Sequence, residues 1–260
     1  MDVPWPEIEQ IIIGLLVMLR ISAMVMMLPV IGHQLVPSQV KIGLIVLLTV
    51  LIFPMVADKV EMIPLTPVAF AAVAIHEILV AAAMAMFAQL IFAAIQFAGQ
   101  LISFQMGMTV ANVFDPVTHS QQSVISQFAV TLAMLLWISA GAHHIFIATL
   151  IESFTLFPIN QPIYFPALTT LTDAAAMMFV LALKVAAPIM VLMTLIYVAL
   201  GLLSRAVPQI QVFFVSFPLT VGLGLLTFAL GMPAFVYLIS NAFSSLPGQL
   251  LLFLRHLSGV

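Results

Sequence analysis

The sequence predicts an all-α integral membrane protein built of long, kinked helices arranged as hairpins. Three observations carry that prediction. Apolar residues make up 64% of the 260 and charged residues 6%, against about a quarter charged in a typical soluble domain. The apolar residues gather into six stretches; five exceed the roughly 20 residues that cross a bilayer core, and one is near the lower limit. None alternates with period two, so the stretches read as helices rather than barrel strands.

The first stretch, Ile8–Ile31, follows Asp2 and contains Glu9 beside Glu7. Those acids stand where a secretory signal would be basic, and the stretch runs too long for a signal's apolar region. The second, Val40–Ala57, is bracketed by Pro37 and by Pro54, Pro64 and Pro67. Proline lacks an N–H and disfavours helix in the residue before it, so these positions read as turns. The third, Val68–Ile102, would reach roughly 50 Å as one upright helix, against a core of about 30 Å. It must tilt, break or project. Gln89, Gln96, Gln100 and Ser103 along it are spaced seven, four and three apart, one narrow polar stripe at 3.6-residue periodicity. Such a stripe either hydrogen-bonds neighbouring helices or walls a water-filled passage.

The fourth stretch, Val124–Ile151, is read as one helix, with Ser139–His144 as small-residue packing inside it. Pro158, Pro162 and Pro166 mark the loop Phe154–Thr172, where the chain divides. The fifth and sixth stretches, Ala174–Leu203 and Val212–Ile239, are joined by Leu203–Gln211 and form a helical hairpin. Pro188, Pro218 and Pro233 fall inside them and predict kinks or breaks.

Between the third and fourth stretches lies Gly99–Ser123, GQLISFQMGMTVANVFDPVTHSQQS, the most polar part of the chain. It has amides, hydroxyls, one carboxylate and a histidine, with Met106 and Met108 around Gly107, and no lysine or arginine. An ordinary cytoplasmic loop carries cations. A polar but barely charged loop suits a cavity within protein better than bulk water.

Ionisable residues inside apolar stretches are functional suspects, because each is costly without a partner. Arg20, Glu77 and Lys184 are such residues. Three scattered charges of mixed sign read as packing elements paired within the chain or to a neighbouring subunit; the alternative is a relay in a small-solute or ion transporter. Other chemistry finds little support. The chain has no cysteine, hence no disulfide, thiolate site or cysteine nucleophile. His143 and His144 are adjacent and cannot share a helix face. His76-Glu77 lacks the second histidine of a zinc-protease helix, and no hydrolase elbow or phosphate-cradling loop is present. Asp115 and His119 are the nearest approach to a metal pair. No cofactor is implied. The net charge of −3 and the scattered cations give no footprint for nucleic acid. Lys41 and Arg205 fall on one side of the membrane and Lys59 and Arg255 on the other, so the lysine–arginine rule does not orient the chain.

The order of particular residues carries a resemblance. Arg20, Pro29 and Pro37 with Lys41 are followed by GQLISFQMGMTVANVFDP (Gly99–Pro116) and GAHHIFIATLIESFTLFP (Gly141–Pro158). Ala187-Pro188, RAVPQ (Arg205–Gln209) and FPLTVGLG (Phe217–Gly224) come next. From end to end this resembles the FliR family of flagellar biosynthetic proteins, and in outline the equivalent subunit of virulence type III secretion systems. Gly107 with Asp115-Pro116, His143 with Ser153 and Pro158, and Pro208-Gln209 are its most specific pieces. Thr220 departs from it, standing where many relatives are expected to carry lysine.

The resemblance implies a non-enzymatic subunit of a protein-export gate, packed in a helical hetero-oligomer with P and Q subunits (FliP and FliQ) and next to FlhB and FlhA. It implies passage of unfolded flagellar proteins and contact with lipid. The implied location is the bacterial inner membrane, in the flagellar basal body, displaced toward the periplasm. It further implies a P-subunit-like part (1–172) and a Q-subunit-like hairpin (173–260). A plug loop, 106–122, is implied to close the channel with Met106, Gly107, Met108, Val113, Phe114, Asp115 and Pro116.

Overall fold

A computed structural model describes residues 5–57, 66–108, 123–162, 164, 167–207 and 212–259. Eight α-helices and no strand occur among them. They are α1 (Trp5–Met27), α2 (Ser38–Val56), α3 (Pro67–Gln105), α4 (Val124–Ser139), α5 (Ala142–Leu156), α6 (Ala167–Ala206), α7 (Val212–Leu230) and α8 (Met232–Ser258). Five are long and apolar enough to cross a membrane, and the bent pair α4–α5 makes a sixth candidate. The chain is thus an all-α membrane protein, as the apolar stretches predict.

The elements depart from the sequence reading in three places, each with a physical cause. First, α3 has 39 residues and continues to Gln105, three residues beyond the apolar stretch, so the polar segment that follows Ile102 begins as helix. The apolar packing of Ile95, Ala98 and Ile102, all buried, holds the polar residues between them in helical register. At 1.5 Å per residue α3 is about 58 Å long, well beyond the bilayer core. Second, the fourth stretch is two helices, bent by 65°. Gly141 adopts φ 65°, ψ 21°, a left-handed conformation that glycine takes without steric cost. Third, Pro54, read as a turn, lies inside α2, whose buried face of Ile45, Leu48, Ile52 and Val56 runs past it. The sixth stretch breaks at Gly231, beside Pro233, where a kink or break is predicted. Pro233 then falls in the first turn of α8, where a missing N–H costs nothing. Pro188 and Pro218 lie inside α6 and α7, and so do Pro54 in α2 and Pro247 in α8, without ending them.

Packing divides the chain into two compact units. The first comprises Met1–Leu90, Gly141–Ala175 and Ser244–Val260; the second comprises Ile91–Ala140 and Ala176–Phe243. Thus α3, α6 and α8 each contribute to both. In the first unit Leu16, Val17, Ile21 and Met24 of α1 are buried with Val80, Ala81 and Met84 of α3 and Phe146, Leu150 and Phe154 of α5. The turn after α1 is tied by the Lys41 ammonium, which donates to the Gly32 carbonyl at 2.8 Å. The end of α8 is tied by the Tyr164 N–H, which donates to the Leu257 carbonyl, and by Thr170 Oγ1, 2.8 Å from His256 Nδ1.

The second unit is built on aromatic contacts. Trp137 meets Phe243 edge-on, centroids 5.1 Å apart, and Phe92 packs on both rings. Beside them α3 and α4 approach at Gly99. A Cβ there would stand 2.4 Å from Ser126 Cα, and the Ser126 hydroxyl donates to the Gln96 carbonyl at 2.9 Å. Small residues that let backbones touch are the usual glue of membrane helices. Gly99→Ala is therefore expected to destabilise the chain by about 1–3 kcal/mol. Thermal unfolding of the purified protein checks this; a variant as stable as the parent would show that the contact yields.

Candidate functional site

Arg20 lies at the centre of the first unit with no solvent exposure. Three elements converge on it. The Arg20 Nε donates to Glu77 Oε2 of α3 at 2.5 Å. The Arg20 Nη1 donates to the carbonyls of Ser153 (3.2 Å) and Phe157 (2.9 Å), with the Ser153 hydroxyl at 3.3 Å. These carbonyls belong to the C-terminal end of α5, which carries a partial negative charge; the Ser153 carbonyl also accepts the Phe157 N–H at 2.9 Å, and the Phe157 carbonyl lies past the helical ladder. Arg20 is therefore the cap of α5 as well as the counter-ion of Glu77. Its guanidinium also covers the Phe154 ring, 4.4 Å from the centroid, a cation–π contact.

His76 completes the knot. Its ring stacks on Phe157, centroids 5.4 Å apart, and its Nδ1 stands 3.5 Å from Glu77 Oε1. Glu77 is fully buried too. An ion pair out of water holds only when attraction and extra hydrogen bonds offset desolvation. Here two carbonyls, the Ser153 hydroxyl and an aromatic face take up Nη1 and one face of the guanidinium, while Arg20 Nη2 and Glu77 Oε1 have no hydrogen-bond partner among the described residues. Arg20 and Glu77 are 57 positions apart, so nothing in the local sequence points from one to the other. The α5 carbonyls give no side-chain signal at all.

Lys184 is different. The sequence reading groups it with the buried charges, but within this chain it is exposed on α6. It borders a cleft of the second unit with Pro188, Thr227, Phe228 and Phe235. An apolar stretch places a lysine in a helix without saying which way it points.

The polar stripe of α3 is also not one uniform surface. Gln89 donates to the Met27 carbonyl at the end of α1, 2.8 Å, in the first unit. In the second, Gln96 is half-buried and Gln100 exposed, while Ser103 is buried with no hydrogen-bond partner for its hydroxyl among the described residues.

Of the residues assigned to the plug, Met106, Gly107 and Met108 are described; Val113, Phe114, Asp115 and Pro116 lie outside the described residues, as does the pair Asp115 and His119. The described part closes α3. The Gly107 N–H donates to the Phe104 carbonyl at 3.0 Å and the Met108 N–H to the Ser103 carbonyl at 3.1 Å. Gly107 has φ 77°. This is the double-bonded helix stop that puts glycine in the left-handed region. Met106 is fully buried. Two hydroxyls reach this point, one from Tyr197, which the sequence reading did not single out, and one from Thr220, noted there only as a departure from the resemblance: Tyr197 donates to the Gln105 carbonyl at 2.6 Å and Thr220 to the Met106 carbonyl at 3.1 Å.

Fold and site together define an all-α membrane protein whose buried charges knot helices together. The chain matches the family described as "Bacterial export proteins, family 1" over residues 11–246, and it belongs to that family. It is 35% identical to the flagellar biosynthetic protein FliR of Pectobacterium carotovorum subsp. carotovorum over 86% of each chain. To FliR of Bacillus subtilis it is 33% identical over 88% of this chain and 90% of the relative, and to FliR of Escherichia coli 31% over 88% and 87%. The resemblance read from the sequence is thus shown at the level of the FliR family, and the chain is a membrane component of the flagellar export apparatus.

Proposed function

We propose that this chain is a non-enzymatic structural and gating subunit of the protein-export channel of the flagellar type III apparatus. The observation that carries the reading is its similarity to flagellar biosynthetic relatives along nearly the whole chain. In this reading one copy packs with P and Q subunits, FliP and FliQ, near FlhB and FlhA, and unfolded flagellar proteins pass through the assembly. The complex sits in the inner membrane, displaced toward the periplasm. Residues 1–172 take the P-like place and 173–260 the Q-like place. Segment 106–122 seals the resting channel.

Several features support the parts. Arg20 and Glu77 bind α1, α3 and α5 into a rigid block, a structural rather than transporting use of charge. Lys184, exposed within the apolar middle of α6, suits a carboxylate of a neighbouring subunit, since a lone cation facing lipid is costly. Leu195 (63% exposed) and Leu202 (67%) extend the same helix's open apolar surface. Gln96 and Gln100 leave polar groups for a partner helix.

Native mass measurement of the solubilised complex tests the reading. A particle with one copy of this chain beside unlike subunits is expected. Several copies of this chain alone would overturn it. A chain that is stable by itself and binds a small solute would install the secondary-transporter reading in its place.

A further inference from the structure

We propose that Tyr197, Thr220 and Gly224 form a clamp that fixes the end of α3, with Tyr197 and Thr220 as positioning residues for the point where the chain enters the segment after Met108. The functional consequence rests on the sealing role proposed above; the clamp itself does not.

A helix leaves its last four carbonyls without N–H partners. At the end of α3 the Gly107 stop satisfies Ser103 and Phe104. Among the described residues no N–H reaches Gln105 or Met106, and each receives a hydroxyl from far along the chain: Tyr197 of α6 for Gln105 and Thr220 of α7 for Met106. The Thr220 hydroxyl also lies 3.2 Å from the Phe217 carbonyl. That carbonyl is inside α7, where the helical ladder supplies an N–H. The Met106 carbonyl stands past the end of α3, and among the described residues the Thr220 hydroxyl is its donor.

The side chain of Met106 is held as firmly as its carbonyl. Thr220 and Gly224 are one helical turn apart and share a face of α7. A Cβ on Gly224 would stand 2.5 Å from Met106 Cε and 2.6 Å from Cγ, so the glycine is the notch that receives the methionine. Two backbone carbonyls and one side chain, all at the final turn of α3, are thereby fixed by α6 and α7. Tyr197 is 42% exposed, so removing its oxygen leaves its packing nearly unchanged. Its hydroxyl is spent on the helix end.

The chain has no cysteine, so Met108→Cys gives it a single position for a spin label, read in the assembled membrane complex against the signal of a complex labelled without that substitution. In that background, Tyr197→Phe with Thr220→Val is expected to raise label mobility and broaden its distribution. Thr220→Ser, which keeps the hydroxyl, restores the parent spectrum, and Gly224→Ala loosens the label by displacing Met106. Assembly yield stays at the parent level. In unlabelled complexes the Tyr197→Phe, Thr220→Val pair conducts ions several-fold above the parent. An unchanged spectrum in the pair overturns the clamp. A loosened label in a complex that stays tight, while a 109–118 deletion leaks, overturns the link from clamp to seal. If the deletion itself stays tight, the sealing role falls and the spectrum alone decides the clamp. Should the pair fail to assemble, Tyr197→Phe alone carries the same measurements.

Discussion

Arg20→Ala is expected to cost about 3–5 kcal/mol and to remove most of the assembled complex from solubilised membranes. The loss has three parts. Glu77 becomes a buried anion without its counter-ion, the Ser153 and Phe157 carbonyls lose their shared donor, and the Phe154 ring loses the guanidinium above it. Glu77→Gln is milder, because an amide keeps the shape and can accept from the arginine, but it leaves the cation unpaired. The informative variant is the pair Arg20→Met with Glu77→Leu. Replacing both partners of a buried ion pair with apolar groups of similar size is often nearly neutral, so the double variant is expected to assemble better than either single one. Thermal unfolding and complex yield measure this. Single variants as stable as the parent would refute a packing role. Normal assembly accompanied by loss of a proton flux would return Arg20 and Glu77 to a transport mechanism.

Particular residues show how far the sequence could be read. The long apolar runs gave the helices because a bilayer admits little else. Arg20 and Glu77 stood out because any unpaired charge there is costly, yet their mutual contact is a tertiary fact. So is the use of two α5 carbonyls as ligands, since every residue carries a carbonyl and none advertises it. Lys184 drew the same suspicion and is exposed; hydrophobicity averaged along a helix contains no azimuth. Gly141 was read as packing because glycine, alanine and serine serve close contacts as readily as turns, and the choice of a left-handed backbone depends on the 65° bend that follows. Gly107 was read only as part of the plug; its place as the stop of α3 rests on the φ of 77° and the two N–H bonds to Ser103 and Phe104. Thr220 and Tyr197 were not legible as donors to α3, because a hydroxyl in a membrane helix usually bonds its own backbone, as Thr194 and Thr227 do here.

Deleting several residues within 109–118 is expected to leave assembly largely intact and to raise ion conductance by about an order of magnitude or more, as removing an apolar constriction does. The deletion begins after Met108 because Gly107 and Met108 close α3, and Met106 is buried against Gly224; cutting there would damage the scaffold as well. The segment removed is mixed, with Thr109, Asn112, Asp115 and Thr118 between apolar residues and Asp115 its one charge, so it suits a cavity within protein better than lipid. Val113 and Phe114 supply apolar bulk able to exclude ions, and Asp115-Pro116 opposes helix, so the segment is suited to a loop rather than a span. A mere connector between α3 and α4 would give a different result, because shortening it would strain or spare the two helices without opening a path. The recording must therefore be paired with complex yield. A shortened chain that assembles and remains as tight as the parent would exclude the plug, and one that leaks only in proportion to lost assembly would assign the segment to folding instead.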